Sequence, residues 1–240
     1  MTPPRTALLL GGTGAVGSAV LRELTRAGIP TTFTFHRHPD RAAALCQENP
    51  GARALPLDLR ERDALPRLAA TLAAEGPLPR ILIHAAGVVH GVPLARASDE
   101  QWDETLAIHA RGAFQLCRDL GARLASQGGG GEIILLAALD RTQSLPMPVT
   151  FAASQGLVAA LAMAAAKELA PRDVRVNVVA LGLLDGGLGT TLDARLIADY
   201  KSFSALRRLG TPEEAAHTIA WLALRNTYLN GKVLSVNGGI

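Results

Sequence analysis

Short apolar runs alternate along the whole chain with longer stretches of helical period. Residues 6–10, 31–35, 52–56, 80–85, 132–137, 175–181 and 232–236 read as seven strands. Several of them are apolar almost throughout, as strands covered on both faces are. Between them the period changes to that of a helix. Val16, Val20, Leu24 and Ala27 mark the first helix, and residues 40–49 and 60–75 the next two, the latter closed by Gly76 and Pro77. A long helix over 98–127 opens with a capping box, Ser98 with Gln101, and stops at the glycines of 128–131. Residues 148–170 form another helix, in which Thr150 reads as a cap at the start. Thr211, Pro212 and Glu214 open the last one with a second box. Strands alternating with helices predict an α/β, Rossmann-type doubly wound parallel sheet in one domain over residues 1–240. Its ligand crevice should lie at the carboxyl ends of the strands.

Composition narrows the picture. The chain is 48% apolar and 19% charged, a globular balance. Its net charge is only +3, and basic residues interleave with acids, as in Arg60, Glu61, Arg62, Asp63; this predicts a solvated surface and no nucleic-acid face. Cys46 and Cys117 have neither metal-ligand nor CxxC spacing, so free thiols and no metal site are expected. The apolar run in MTPPRTALLL is too short for a signal peptide, which predicts cytoplasmic residence. Residues 148–170 tempt a membrane reading. Gln155, Lys167 and the alanine-rich composition instead predict a helix buried against a sheet on one side and a subunit on the other, hence an oligomer and no membrane contact.

Candidate chemistry begins at the end of the first strand. In TALLLGGTGAVG, Gly11, Gly14 and Gly17 follow an apolar strand and open a helix, as in a dinucleotide-binding turn. One glycine makes the tight turn, one admits a pyrophosphate, and one lets helix pack on strand, with Thr13, Val16 and the helix N-terminus facing the anion. About twenty residues on, an NAD site would place an acid on the ribose; Arg37 stands there and favours the 2′-phosphate of NADP(H). Asp58 follows the third strand, and Ala86 and Gly87 follow the fourth.

These landmarks together resemble the short-chain dehydrogenase/reductase family, most closely its 3-oxoacyl-acyl-carrier-protein reductases, over essentially all 240 residues. The glycine turn stands first, and Leu57-Asp58-Leu59 is similar to the segment whose aspartate contacts adenine. ILIHAAG at 81–87 resembles the strand ending in Asn-Asn-Ala-Gly. Val174-Arg175-Val176-Asn177 precedes Leu181-Gly182 in place of Pro-Gly, and Arg208 to Glu214 and Asn230 to Gly239 match the family's tail. The resemblance implies weak NADP(H) binding through Gly11, Thr13, Gly14, Val16, Gly17, Arg37, Asp58, Ala86, Gly87 and Gln155. It also implies a dimer or tetramer, built from copies of the chain or with an active relative, and acyl carrier protein as a further partner.

The departures from the family are specific. The turn is GxxGxxG, with Ala15 at the reductases' second glycine, where a methyl would crowd the pyrophosphate. All four positions of the catalytic tetrad are replaced: His109 stands for asparagine, Ala138 for serine, Phe151 for tyrosine and Gln155 for lysine. Phenylalanine keeps the ring and deletes its proton; glutamine can hydrogen-bond a ribose but brings no charge. Three functions follow from this. One is a non-redox pseudoenzyme or partner subunit in acyl-chain or polyketide assembly. Another is a non-redox enzyme, such as a dehydratase, isomerase or cyclase, using His84, His109 or Asp140. The third is an NADPH-dependent ketoreductase with a relocated acid. His84, His90 and His109 fall close enough together for at least two to face one crevice, although His84 and His109 would equally serve as structural replacements for two asparagines.

Overall fold

The computed structural model describes residues 5–138, 147–191 and 193–240. Seven parallel strands form one sheet: β1 Ala7–Leu10, β2 Thr31–Phe35, β3 Ala52–Pro56, β4 Ile81–His84, β5 Gly131–Ala137, β6 Val174–Leu181 and β7 Val233–Val236. Their order across the sheet is β3-β2-β1-β4-β5-β6-β7. The chain therefore reverses its direction of travel between β1 and β4, and a crevice opens beyond their carboxyl ends at that switch. The helices are α1 Ala15–Arg26, α2 Pro39–Glu48, α3 Ala64–Glu75, α4 over 99–127, α5 Val149–Leu169, α6 Ala194–Phe203 and α7 Pro212–Arg225. Two stretches of α4, Leu106–Arg111 and Leu116–Gly121, have π-helical bonding.

The sheet is buried on both faces because its strands alternate between two cores. Leu8, Leu10, Leu82, Ile133 and Leu135 meet α3, α4 and α5, while Ala7, Leu9, Ile81, Ile83 and Ile134 meet α1, α2 and α7. Helix α5 lays Thr150, Ser154, Gln155, Val158, Ala162, Ala166 and Leu169 on the first of these. By length and composition the segment Val149–Arg172 is apolar enough to cross a membrane. Here its buried stripe packs on β5 and β6.

Both predicted capping boxes form. Ser98 Oγ accepts from Gln101 N at 3.3 Å and Thr211 Oγ1 from Glu214 N at 3.1 Å. Three expectations shift. Helix α3 starts at Ala64 rather than at residue 60, because Asp58 Oδ1 accepts from Arg60 N at 2.9 Å and holds 58–61 in a side-chain-capped turn. Helix α5 has Pro148 at its N-cap, so Thr150 lies buried inside the first turn. Helix α6 is new; Tyr200 is its one buried residue, which leaves almost no apolar period to read. That helix is tied to the end of the sheet: Tyr200 Oη donates to Asn237 O at 2.8 Å, Ser204 Oγ to Gly238 O at 3.0 Å and Leu206 N to Gly238 O at 3.1 Å.

At the opposite end of the sheet Glu132 is fully buried and bonded to Arg175 on β6, with Asn226 Nδ2 at 3.2 Å. Glu132→Ala removes one partner of a sheltered ion pair and is expected to cost about 3 kcal/mol. Thermal unfolding should show this as a midpoint lowered by roughly 10 °C; a change of under about 2 °C would mean the pair contributes nothing.

Candidate functional site

The glycine turn follows from hard contacts. Gly11 has φ +82°, and a Cβ there would sit 2.7 Å from the backbone of Ala86; a Cβ on Gly17 would sit 2.1 Å from the Gly11 carbonyl oxygen. Gly12, outside the expected triplet, faces Phe33, whose ring would be 2.5 Å from an added Cβ. Gly14 is different: its added Cβ would meet only the Gly11 oxygen, at 3.4 Å. It is the N-cap of α1 and brings no side chain to cap it. The amides of Ala15, Val16 and Gly17, which a helix cannot satisfy internally, are thus left for an anion at the cleft wall. Thr34 holds the turn from β2, accepting Gly11 N at 3.2 Å on Oγ1 and Gly12 N at 2.9 Å on its carbonyl. The Ala15 methyl lies toward the loop after β6, within 3.2 Å of a Cβ placed on Gly187.

Beside this turn lies a ring of charges. Arg37 is exposed at the end of β2, 4.0 Å from Glu104. Arg41, on α2, donates to Thr13 O at 3.0 Å and so flanks the turn as a second cation. Asp58 receives Arg60 on both carboxylate oxygens, at 3.0 and 2.7 Å, and has His36 at 3.3 Å. The Arg60 hydrogen bonds hold the Asp58 carboxyl down at about 2, far below its usual range. Arg111 reaches across from α4 to the carbonyls of Leu59 and Arg60, at 3.2 and 2.7 Å, and fixes this loop.

The inner end of the cleft is a closed set of neutral bonds. Val88 N donates to His109 Nε2 at 2.9 Å, which places the imidazole hydrogen on Nδ1, 2.7 Å from Ser154 Oγ. Ser154 Oγ in turn donates to Phe151 O at 2.7 Å and accepts from Gln155 Nε2 at 3.1 Å. Gln155 Oε1 accepts from Ala138 N at 3.1 Å. Phe151 stands edge-on to the His109 ring at 5.4 Å. Burial, then the neighbouring histidines, lowers the His109 pKa to about 3, and burial lowers that of His84 to about 4.

The sequence expectations can now be placed. Gly11, Thr13, Gly14, Val16, Gly17, Arg37, Asp58, Ala86, Gly87, His109, Ala138, Phe151 and Gln155 all line one cleft of about 1040 Å³. Gln155, expected to reach a ribose, spends both ends of its amide inside the protein, where only 3% of its surface is exposed. Of the three histidines expected near one crevice, only His109 lines the cleft. His84 points into the core and donates to Ile108 O at 3.0 Å; Gly112 leaves it room, since a Cβ there would lie 2.6 Å from Nε2. His90 bonds Glu104 at 3.0 Å. Asp140 falls outside the described residues. The other half of the cleft is apolar, lined by Val92, Met147, Val149, Phe151, Leu183 and Leu188. Among the described residues no three His, Cys, Asp or Glu side chains gather to hold a metal, and burial pushes the Cys117 thiol up to about 12.

Sequence reasoning missed Gly12, His36, Arg41, Arg60, Glu104 and Ser154. The doubled glycine at 11–12 and the cation four residues after Arg37 were readable signals. Glu104 and Ser154 gave none, because Glu104 meets side chains from three distant loops and Ser154 meets His109 across from α4.

Fold and turn define a dinucleotide-type α/β protein. A family model described as enoyl-(acyl carrier protein) reductase matches residues 12–240, and the chain belongs to that short-chain dehydrogenase/reductase family. It is similar to nodulation protein G of a Rhizobium species, at 26% identity over 98% of this chain and 96% of that one. The 3-oxoacyl-[acyl-carrier-protein] reductase MabA of Mycobacterium tuberculosis is 27% identical over 98% of this chain and 92% of its own length. Among solved structures, a dehydrogenase/reductase from Sinorhizobium meliloti superposes with a TM-score of 0.89 at 28% identity, covering 98% of this chain and 94% of that one. A blue fluorescent protein from a metagenomic library, in complex with NADPH, gives 0.89 at 25%, covering 98% and 97%.

Two predictions follow from the geometry. Gly17→Ala drives a methyl into backbone and should cost about 1–3 kcal/mol, whereas Gly14→Ala should cost under about 1 kcal/mol as a mere cap change. Urea titration of both variants tests this, and equal losses would show that the Gly17 contact does not constrain the turn. The second prediction concerns acid stability. His84 and His109 are held neutral in the fold, so below the unfolded imidazole pKa of about 6.5 the unfolded chain takes up protons that the native one refuses. Stability then falls toward pH 4 at up to about 1.4 kcal/mol per pH unit for each group. His109→Asn should flatten that acid limb in a pH series of melting temperatures; an unchanged slope would show that the ring is protonated in place.

Proposed function

We propose that the chain binds NADP(H) in this cleft and performs no carbonyl reduction, serving as a cytoplasmic partner subunit in acyl-chain or polyketide assembly. The observation that carries the reading is the closed bonding of Ala138, Phe151, Ser154, Gln155 and His109. Where the family resemblance implies a hydroxyl donor, an orienting serine and a cationic lysine, this chain has a ring without a proton, a methyl group and a buried amide already satisfied at both ends.

The glycine turn and the α1 amides would hold the pyrophosphate, Arg37 with Arg41 nearby the 2′-phosphate, and Asp58 the adenine. NADPH in a relative of the same fold supports the choice of nucleotide. When bound, the reduced nucleotide supplies a hydride. What the chain lacks is the matching proton: a general acid commonly contributes roughly 10²- to 10⁴-fold and each oriented oxyanion donor about 3 kcal/mol. His109 does not replace it, since Val88 N–H occupies Nε2 and Ser154 the hydrogen on Nδ1. That speaks equally against a dehydratase, isomerase or cyclase that uses His109 and against His109 as a relocated acid. Trp102 and Phe114 on α4, with Leu157 on α5, are large exposed apolar groups. They support association with a second copy or with an active relative, and the acyl-carrier-protein names of the relatives support an acyl-carrier-protein partner.

The expected outcome is measurable NADPH binding by calorimetry, tighter than NADH, with turnover of 3-oxoacyl substrates at background. The triple change Ala138→Ser, Phe151→Tyr, Gln155→Lys should raise turnover. Robust wild-type turnover lost in His109→Ala would overturn the proposal.

A further inference from the structure

Glu104 is an anion in the cleft wall that meets side chains from three separate loops. It projects from the start of α4 and lines the cleft. Its Oε1 lies 4.0 Å from Arg37 Nη2, at the end of β2, and 3.7 Å from Arg60 Nη1, after β3. Its Oε2 bonds His90 Nε2, after β4, at 3.0 Å. The carboxylate is 23% exposed and the Arg37 side chain 65%, so the pair sits at the rim of the cleft and its strength is that of a partly exposed ion pair.

Arg37 is also the cation placed to receive a 2′-phosphate, and a phosphate and a carboxylate cannot both have it at contact distance without repelling one another. We propose that Glu104 is a specificity-determining residue that competes with the 2′-phosphate for Arg37. The proposal rests on the nucleotide-binding reading above. Binding a nucleotide that carries the phosphate requires Glu104 to surrender Arg37. The carboxylate is not stranded by the exchange, because Arg60 Nη1 and His90 stay within its reach while Asp58 occupies Arg60 Nε and Nη2. A nucleotide with a free 2′-hydroxyl makes no such demand. Glu104 therefore lowers the affinity for NADP(H) selectively, and narrows the preference over NAD(H) that Arg37 creates.

The test is calorimetric titration of NADPH, NADH and 2′,5′-ADP into the full chain, as wild type, Glu104→Gln, Arg37→Ala and the double variant. Circular dichroism confirms the fold of each, and Glu104→Asp, whose shorter side chain withdraws from Arg37, serves as a second probe. Glu104→Gln should tighten NADPH and 2′,5′-ADP by roughly three- to fivefold, the upper range for one partly exposed ion pair, and change NADH by less than about twofold. The gain should vanish when Arg37 is absent. An equal gain for NADH, no gain, or a gain that survives Arg37→Ala would overturn the competition. If no variant binds any of the three probes, the nucleotide-binding reading fails and this inference with it; binding with an unaltered NADPH to NADH ratio removes this inference alone.

Discussion

Everything at the cleft depends on how closely α1 can approach β1. The Gly11 carbonyl and Gly17 occupy space that a single methyl group would fill, and Gly11 takes a backbone conformation that side chains disfavour. That approach sets the first turn of α1 beside the ends of β1 and β4, where the sheet changes direction. The unpaired amides of α1 therefore point at the same crevice that β4 feeds with Ala86 and Gly87. Gly12, pressed against Phe33, extends the same constraint to β2 and so to Arg37 beyond it.

The inner end shows how His109, Ala138, Phe151, Ser154 and Gln155 fit one another. A pocket among buried polar groups is costly unless each of them finds a partner. Gln155 fills it by capping Ala138 N–H and bonding Ser154, and His109 completes the set with Val88 and Ser154. Gln155 Nε2 also lies 2.9 Å from His109 Nδ1, so the amide and the imidazole crowd one another as they share Ser154 Oγ.

Most of the fold was legible because it rests on local signals. β2 and β3 were readable to the residue, and both capping boxes formed as their spacing demands. Helix α6 was not legible, because it buries little beyond Tyr200 and hence lacks an apolar stripe. The start of α3 was misplaced because a side-chain bond from Asp58 competes with the helix. At the site, Gly11 and Gly17 announced themselves, since backbone geometry demands them, and Arg37 and Asp58 did so by their places after β2 and β3. The fate of Gln155 and the reach of Glu104 did not, since each is decided by partners that only the tertiary fold supplies.

The bonds from Tyr200, Ser204 and Leu206 to Asn237 and Gly238 carry a mechanical meaning. Helix α6 lies over the apolar half of the cleft, contributing Leu196, Tyr200 and Phe203 to its rim. Because its three anchoring bonds end on two carbonyls just past β7, those of Asn237 and Gly238, the rim and the edge of the sheet are mechanically joined. A displacement of the rim is therefore transmitted to residues 237–238, and one at that strand end returns to the rim.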